Sequence, residues 1–223
     1  MSFHPVSEVN IMRSTLLSSV VLAAALVAGP AVLTGTAAPA LAQEVTKDPA
    51  QVKAGTYKVE PTHAKVTYAI SHLGFSTYFG TFPKMDGTLV IDTAKPENSK
   101  VDITIDVAAV DSNDDKLDGH LRSPDFFDTA KFPTATFRST RIERTGPTTA
   151  KVTGDLTLKG VTRPVTLDAT FNQAGVNFIN KAYTIGFDAE TTINRTDWGI
   201  STYAPAVGEK VTLRIGAEFQ LQP

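Results

Sequence analysis

The sequence contains no cysteine. That excludes disulfides, thiolate metal ligands, a cysteine nucleophile and a lipidated N-terminal cysteine. Basic excess is missing too: the formal net charge is -2, and no basic run stands out, so nothing favours a nucleic-acid partner. There is no Gly-x-Ser-x-Gly elbow. Beyond residue 42 the histidines are His63, His72 and His120, and none of them forms the short recurring spacing of a zinc site. Asp102, Asp106, Asp155 and Asp168 fall on outward strand positions, where a soluble protein wants charge. Asp114 and Asp115 suit the first turn of a helix better than a catalytic pair. Catalysis and metal binding therefore have no positive support in the sequence, and no cofactor is expected.

What the sequence does have is alternation. From residue 66 to 219, run after run sets one apolar residue against one polar residue, most cleanly at 101–107, 165–171 and 211–215. Side chains alternate across a β-strand, so each run has a buried face and a wet face. The pattern predicts an all-β fold of eight or nine antiparallel strands, the open question being whether 55–59 and 64–72 form one bent strand. A closed up-and-down barrel leaves no edges and needs only short turns. A two-sheet sandwich is the alternative.

The start of the chain reads differently. Arg13 precedes an apolar run from Leu16 to Ala28, and Ala40-Leu41-Ala42 is a small-x-small cleavage site, so residues 1–42 read as a secretory signal peptide. Gly29-Pro30, Gly35 and Pro39 break the run before the ~20 residues of a spanning helix, so no stable membrane anchor is expected. Residues 43–54 are expected to be a flexible tail, and residues 55–223 a single domain.

The alternation fails twice. Residues 111–128 hold a helix-cap pattern, Ser112-Asn113-Asp114-Asp115, with Leu117 and Leu121 four apart on one helical face. Residues 192–207 contain Arg195, Asp197 and Trp198. There Arg195 could hold a phosphate or carboxylate, or pair with Asp197 while Trp198 plugs a barrel end; His120 and Arg122 pose the same choice in the first break. On the inward faces Gly87, Ala135, Gly154, Ala169 and Ala217 sit beside large residues. That pattern fits either a packed core or a hollow one able to take a small ligand.

Several segments in order carry a family likeness: His72-Leu73-Gly74-Phe75 with Gly80-Thr81-Phe82, then His120 through Asp128, Lys131-Phe132-Pro133, Leu156 through Thr162, and Asn194-Arg195-Thr196-Asp197-Trp198-Gly199. In these the chain resembles the YceI-like family of secreted bacterial lipid- or polyisoprenoid-binding proteins. The resemblance implies a lipocalin-like antiparallel β-barrel of about eight strands, with one or two short helical insertions and an elongated apolar interior. It also implies a periplasmic location and non-catalytic binding of an amphiphile with an isoprenoid tail, such as a polyprenyl quinone or polyprenyl phosphate. No catalytic residues carry over.

On this reading the tail threads among Val66, Tyr68, Ile70, Leu89, Ile103 and Ile105, then Phe137, Leu156, Leu167 and Phe171, and finally Tyr183, Ile185, Phe187, Leu213 and Ile215. The head group would meet His120, Arg122 or Arg195 at an insertion. The expected partner is the isoprenoid lipid itself, with the protein a monomer or homodimer. The rival readings are an enzyme acting on such a lipid, through His72 or His120, and a filled-barrel stress-protective protein.

Overall fold

The computed structural model describes residues 45–223; the expected leader, residues 1–42, lies outside them. The alternating runs form strands. β1 (Val45–Thr46), β2 (Gly55–Val59), β3 (Lys65–His72) and β4 (Ser76–Phe82) come first. They are followed by β5 (Met85–Ile91), β6 (Lys100–Asp106), β7 (Thr134–Arg144) and β8 (Thr149–Leu158), then β9 (Val161–Val176), β10 (Tyr183–Asn194) and β11 (Val207–Leu221). From β5 to β11 each strand pairs antiparallel with the next; β11 then pairs with β2, and β2 with β5. The sheet closes on itself, so the barrel holds and the sandwich does not.

β2 and β3 both lie along β11, separated by a tight turn at Pro61–His63. They are one bent stave, and β4 and β5 form another beside it, which gives eight staves in all. Two prolines mark the bends, Pro61 and Pro83, where the missing N–H and fixed φ interrupt a ladder. The single α-helix among the described residues, α1 (Asp115–Arg122), sits between β6 and β7 and defines the upper end. Asp114 caps it, accepting from the backbone N–H of Lys116 and Leu117. Among the described residues no helix is long and apolar enough to cross a membrane.

One expectation needs correction. The segment taken as a flexible tail is fastened from Val45 onward: β1 pairs with β9, Asp48 caps a turn at Pro49–Gln51, and Val52 is buried in the lower core. Its apolar side chains alternate too briefly to register as a strand. β9 runs on through Val176, where Ala174 and Gly175 pair with both β1 and β10. The turn between β8 and β9 falls at Lys159-Gly160, both with positive φ, as a two-residue hairpin turn requires. A Cβ at Gly160 would also come within 2.7 Å of Phe132.

The choice between a packed and a hollow core resolves as both. Phe137 lies over Gly154, where a Cβ would meet its ring at 2.5 Å, so small and large interlock at that level. Ala135 above, and Ala169 and Ala217 below, face open space.

Candidate ligand-binding site

The interior holds two apolar cavities. The upper one, about 390 Å³, lies under α1 and the turn Arg195–Trp198. Its volume falls within the usual range for small-molecule pockets. Six of the expected tail contacts line it: Val66, Tyr68, Ile70, Ile105, Leu156 and Leu213, with His120 and Arg195 at the top. The lower cavity, about 250 Å³, is lined by Leu89, Leu167, Phe171, Ile185, Phe187 and Ile215. Between them, Ile103 and Phe137 pair across β6 and β7 and line neither space. Along β6 the inward residues read Val101 (lower), Ile103, Ile105 (upper), so Ile103 and Phe137 form a waist.

Two expected contacts fall elsewhere. Tyr183 packs against Tyr57, ring centroids 6.4 Å apart, under the Lys53 ammonium. Arg122, at the C-terminal end of α1, lines neither cavity; its carbonyl accepts from Thr129. Tyr183 and Arg122 are therefore not cavity-lining residues.

Arg195 reaches the cavity wall but is committed to structure. It is 4% exposed. Its Nε, Nη1 and Nη2 donate to the carbonyls of Gly208, Ile200 and Val207 at 2.7–2.8 Å. Burial lowers its pKa, with Glu209 opposing. The expected Arg195–Asp197 pair does not form: Asp197 is exposed and its carbonyl accepts from Arg163. The guanidinium ties the loop at Ile200 and the start of β11 to the turn that carries Arg195. Trp198 beside it is buried and donates from Nε1 to Leu156 O at 3.2 Å, which makes it the plug that the sequence suggested.

His120 differs. Its ring is held edge-on to Phe126 (5.0 Å) and tilted against Tyr203 (6.0 Å). Among the described residues its Nε2 is the buried side-chain polar atom that has no hydrogen-bond partner. An orphaned buried polar atom carries a desolvation penalty and calls for a partner. Tyr68 points into the same space, and burial raises its pKa, with Tyr78, Asp118 and Asp111 adding to the shift. The nearby Ser112–Asp118 pair, with Ser112 N and Oγ both donating to Asp118 Oδ1, has no histidine joined to it.

Sequence reasoning missed Tyr78, Phe126, Phe127, Ile200 and Tyr203 around the upper cavity. Tyr78 could have been found, since it alternates with Gly80 and Phe82; the others lie in the irregular segments, where period gives no direction. On the outer face, His63 Nδ1 contacts Glu60 and lies 3.9 Å from Glu218. Glu60 also accepts from Thr62 and from the His63 N–H, so this group caps the bend between β2 and β3.

The sequence profile of the YceI-like domain matches residues 57–219. The chain belongs to the YceI-like family. A UPF0312 protein of Pseudomonas fluorescens (strain SBW25) is 46% identical over 170 residues, covering 75% of this chain and 88% of that one. The crystal structure of Burkholderia cenocepacia BcnA matches with a TM-score of 0.65 at 28% identity, over 72% of this chain and 98% of that chain. A structure described as a polyisoprenoid binding domain from Saccharophagus degradans, implicated in plant cell wall breakdown, matches with a TM-score of 0.56. It is 17% identical and covers 76% of this chain and all of that one, which shows a shared fold. The YceI-like barrel is thus the frame that holds the two cavities and their waist.

Proposed function

We propose that this YceI-like protein binds, and carries or stores, an amphiphile with a polyisoprenoid tail in the periplasm. The observation that carries the reading is an apolar upper cavity whose buried, unpartnered polar atom is His120 Nε2. Such a lining suits a branched hydrocarbon chain, stabilised by about 0.8 kcal/mol per buried CH₂. The single unsatisfied nitrogen suits a head group at the upper end. The polyisoprenoid-binding description of the Saccharophagus degradans domain supports the same ligand class. The expected leader supports export. Among the described residues that line the upper cavity no nucleophile–base pair is hydrogen-bonded, and the buried Ser112–Asp118 pair lies outside that lining, which favours a binding protein over an enzyme acting on the lipid.

The test is mild purification of the protein from an exported fraction, followed by solvent extraction and mass spectrometry. Co-purified polyprenyl lipid, or uptake of added ubiquinone-8 by delipidated protein, is the expected result. Neither, from a folded protein, would rule the reading out.

A further inference from the structure

The β3–β4 hairpin projects beside the upper mouth and ends in bare apolar side chains. Phe75 is 89% exposed and Leu73 49%. Tyr203, 61% exposed, stands across the mouth with its ring against His120. The two segments are joined: Leu73 N–H donates to Ala206 O at 3.0 Å, and His72 pairs with Val207. The collar is therefore one surface, continuous with the cavity lining at His72, Tyr78 and Tyr203.

This collar carries no charge. There is no Asp, Glu, Lys or Arg between Lys65 and Lys84, nor between Asp197 and Glu209, in a chain that is 20% charged. The turn itself argues for a use. Leu73 and Gly74 both have positive φ, and Phe75 N–H closes the turn on His72 O. A bulky residue in that conformation is strained, and Asn or Asp is the local preference. At the matching Lys159-Gly160 turn, the left-handed residue bonds Pro124 O through its ammonium. The Leu73 side chain can make no such bond and stays exposed.

We propose that this collar docks on an uncharged lipid surface, so that a ligand passes between bilayer and cavity without crossing water. The inference rests on the lipid-binding reading above. A polyprenyl tail is too costly to expose to water, so the mouth has to meet the donor surface directly. This apolar, charge-free part of the rim, with a tyrosine at its edge and the charged helix α1 on the other side of the mouth, suits the headgroup boundary of a bilayer. Without basic residues in the collar, docking relies on apolar insertion and not on anionic lipids.

The test uses phosphatidylcholine vesicles containing ubiquinone-8 and the full protein. Wild type floats with the vesicles and extracts quinone. The variant Leu73→Asn with Phe75→Ser extracts at least tenfold more slowly, although it loads equally from detergent micelles. The Leu73→Asn change creates an Asn-Gly pair suited to this turn, so the loss is not one of folding. Raising salt to about 0.5 M leaves the wild-type rate unchanged. Phe178→Ser with Ile179→Ser, on the exposed turn at the opposite end, extracts like wild type. Equal rates for the collar variant and wild type overturn the proposal while leaving lipid binding intact. So does a dimer that the collar substitutions dissolve, which would make a second copy the occupant. Wild type that loads from neither source overturns both readings.

Discussion

Above the waist, the barrel is roofed by a helix, a buried tryptophan and a buried arginine that forms no ion pair among the described residues. Below it, the closing element is a short strap, residues 45–52, held by two strand pairings and one buried valine. The same alternating strands line both halves, so the difference lies wholly in how each end is closed. The upper closure is polar where it must be: Arg195 satisfies three main-chain carbonyls and Trp198 a fourth. It leaves one nitrogen, on His120, unsatisfied. The lower cavity has no comparable buried orphan among the described residues. On the proposed reading, a ligand head group has a reason to stop at the top, and a tail reaches the lower cavity only by passing the waist at Ile103 and Phe137.

The strongest test of this asymmetry is stability. Trp198→Ala removes a buried aromatic and its hydrogen bond to the Leu156 carbonyl, and is expected to cost about 3–5 kcal/mol. Val52→Ala, at the lower closure, should cost roughly 1–2 kcal/mol. Urea denaturation of both variants measures the difference. Equal losses would mean that the two ends are equally built.

The waist comes next. Phe137→Leu keeps an apolar side chain but removes the ring that lies over Gly154. It should cost about 1–2 kcal/mol and join the two cavities. Mass spectrometry of lipid taken from a mixture of polyprenyl lengths should then show a shift toward longer tails. An unchanged length distribution would mean that the tail never reaches past Phe137.

His120→Phe probes the orphaned nitrogen alone. The ring packing against Phe126 and Tyr203 survives, and one hydrogen bond of about 0.5–1.5 kcal/mol is lost. Affinity for ubiquinone-8 should fall between about twofold and tenfold, while affinity for squalene, which has no head group, stays level. A parallel fall for both would assign His120 to packing and place the head group elsewhere.

How much of this was legible follows from where alternation holds. Along the strands, period two fixed which side chains face inward, and Leu156, Leu167 and Leu213 all reach a cavity for that reason. It could not separate upper from lower from waist, because that depends on register between strands distant in sequence. Ile103 and Phe137 look like any other inward pair until they meet across β6 and β7. In the irregular segments the sequence showed chemistry but not direction. Arg195 could be an anion receptor or a strut, and only its three carbonyl partners decide. Tyr203 carried no pattern at all. Tyr183 alternates correctly, yet at the barrel floor it finds Tyr57 and not open space.

The smallest expected effect lies at the bend where the two halves meet. Burial alone would raise the Glu60 pKa, but hydrogen bonds from Thr62 and His63, with the charge of His63, hold it below the usual carboxylate range. A carboxyl depressed in the folded state contributes stability above its unfolded pKa, near 4.3. That contribution is lost as pH falls through the folded value. Glu60→Gln removes it at every pH. Between about pH 6 and pH 3, wild type should therefore lose more stability than the variant, and the two should converge at the acid end. A constant gap across that range would mean that the carboxylate charge is idle and that the bend is held by Pro61 and the backbone alone. Convergence would identify the Glu60 cap as the acid-sensitive joint between a lower half fixed by its strap and an upper half that carries the mouth.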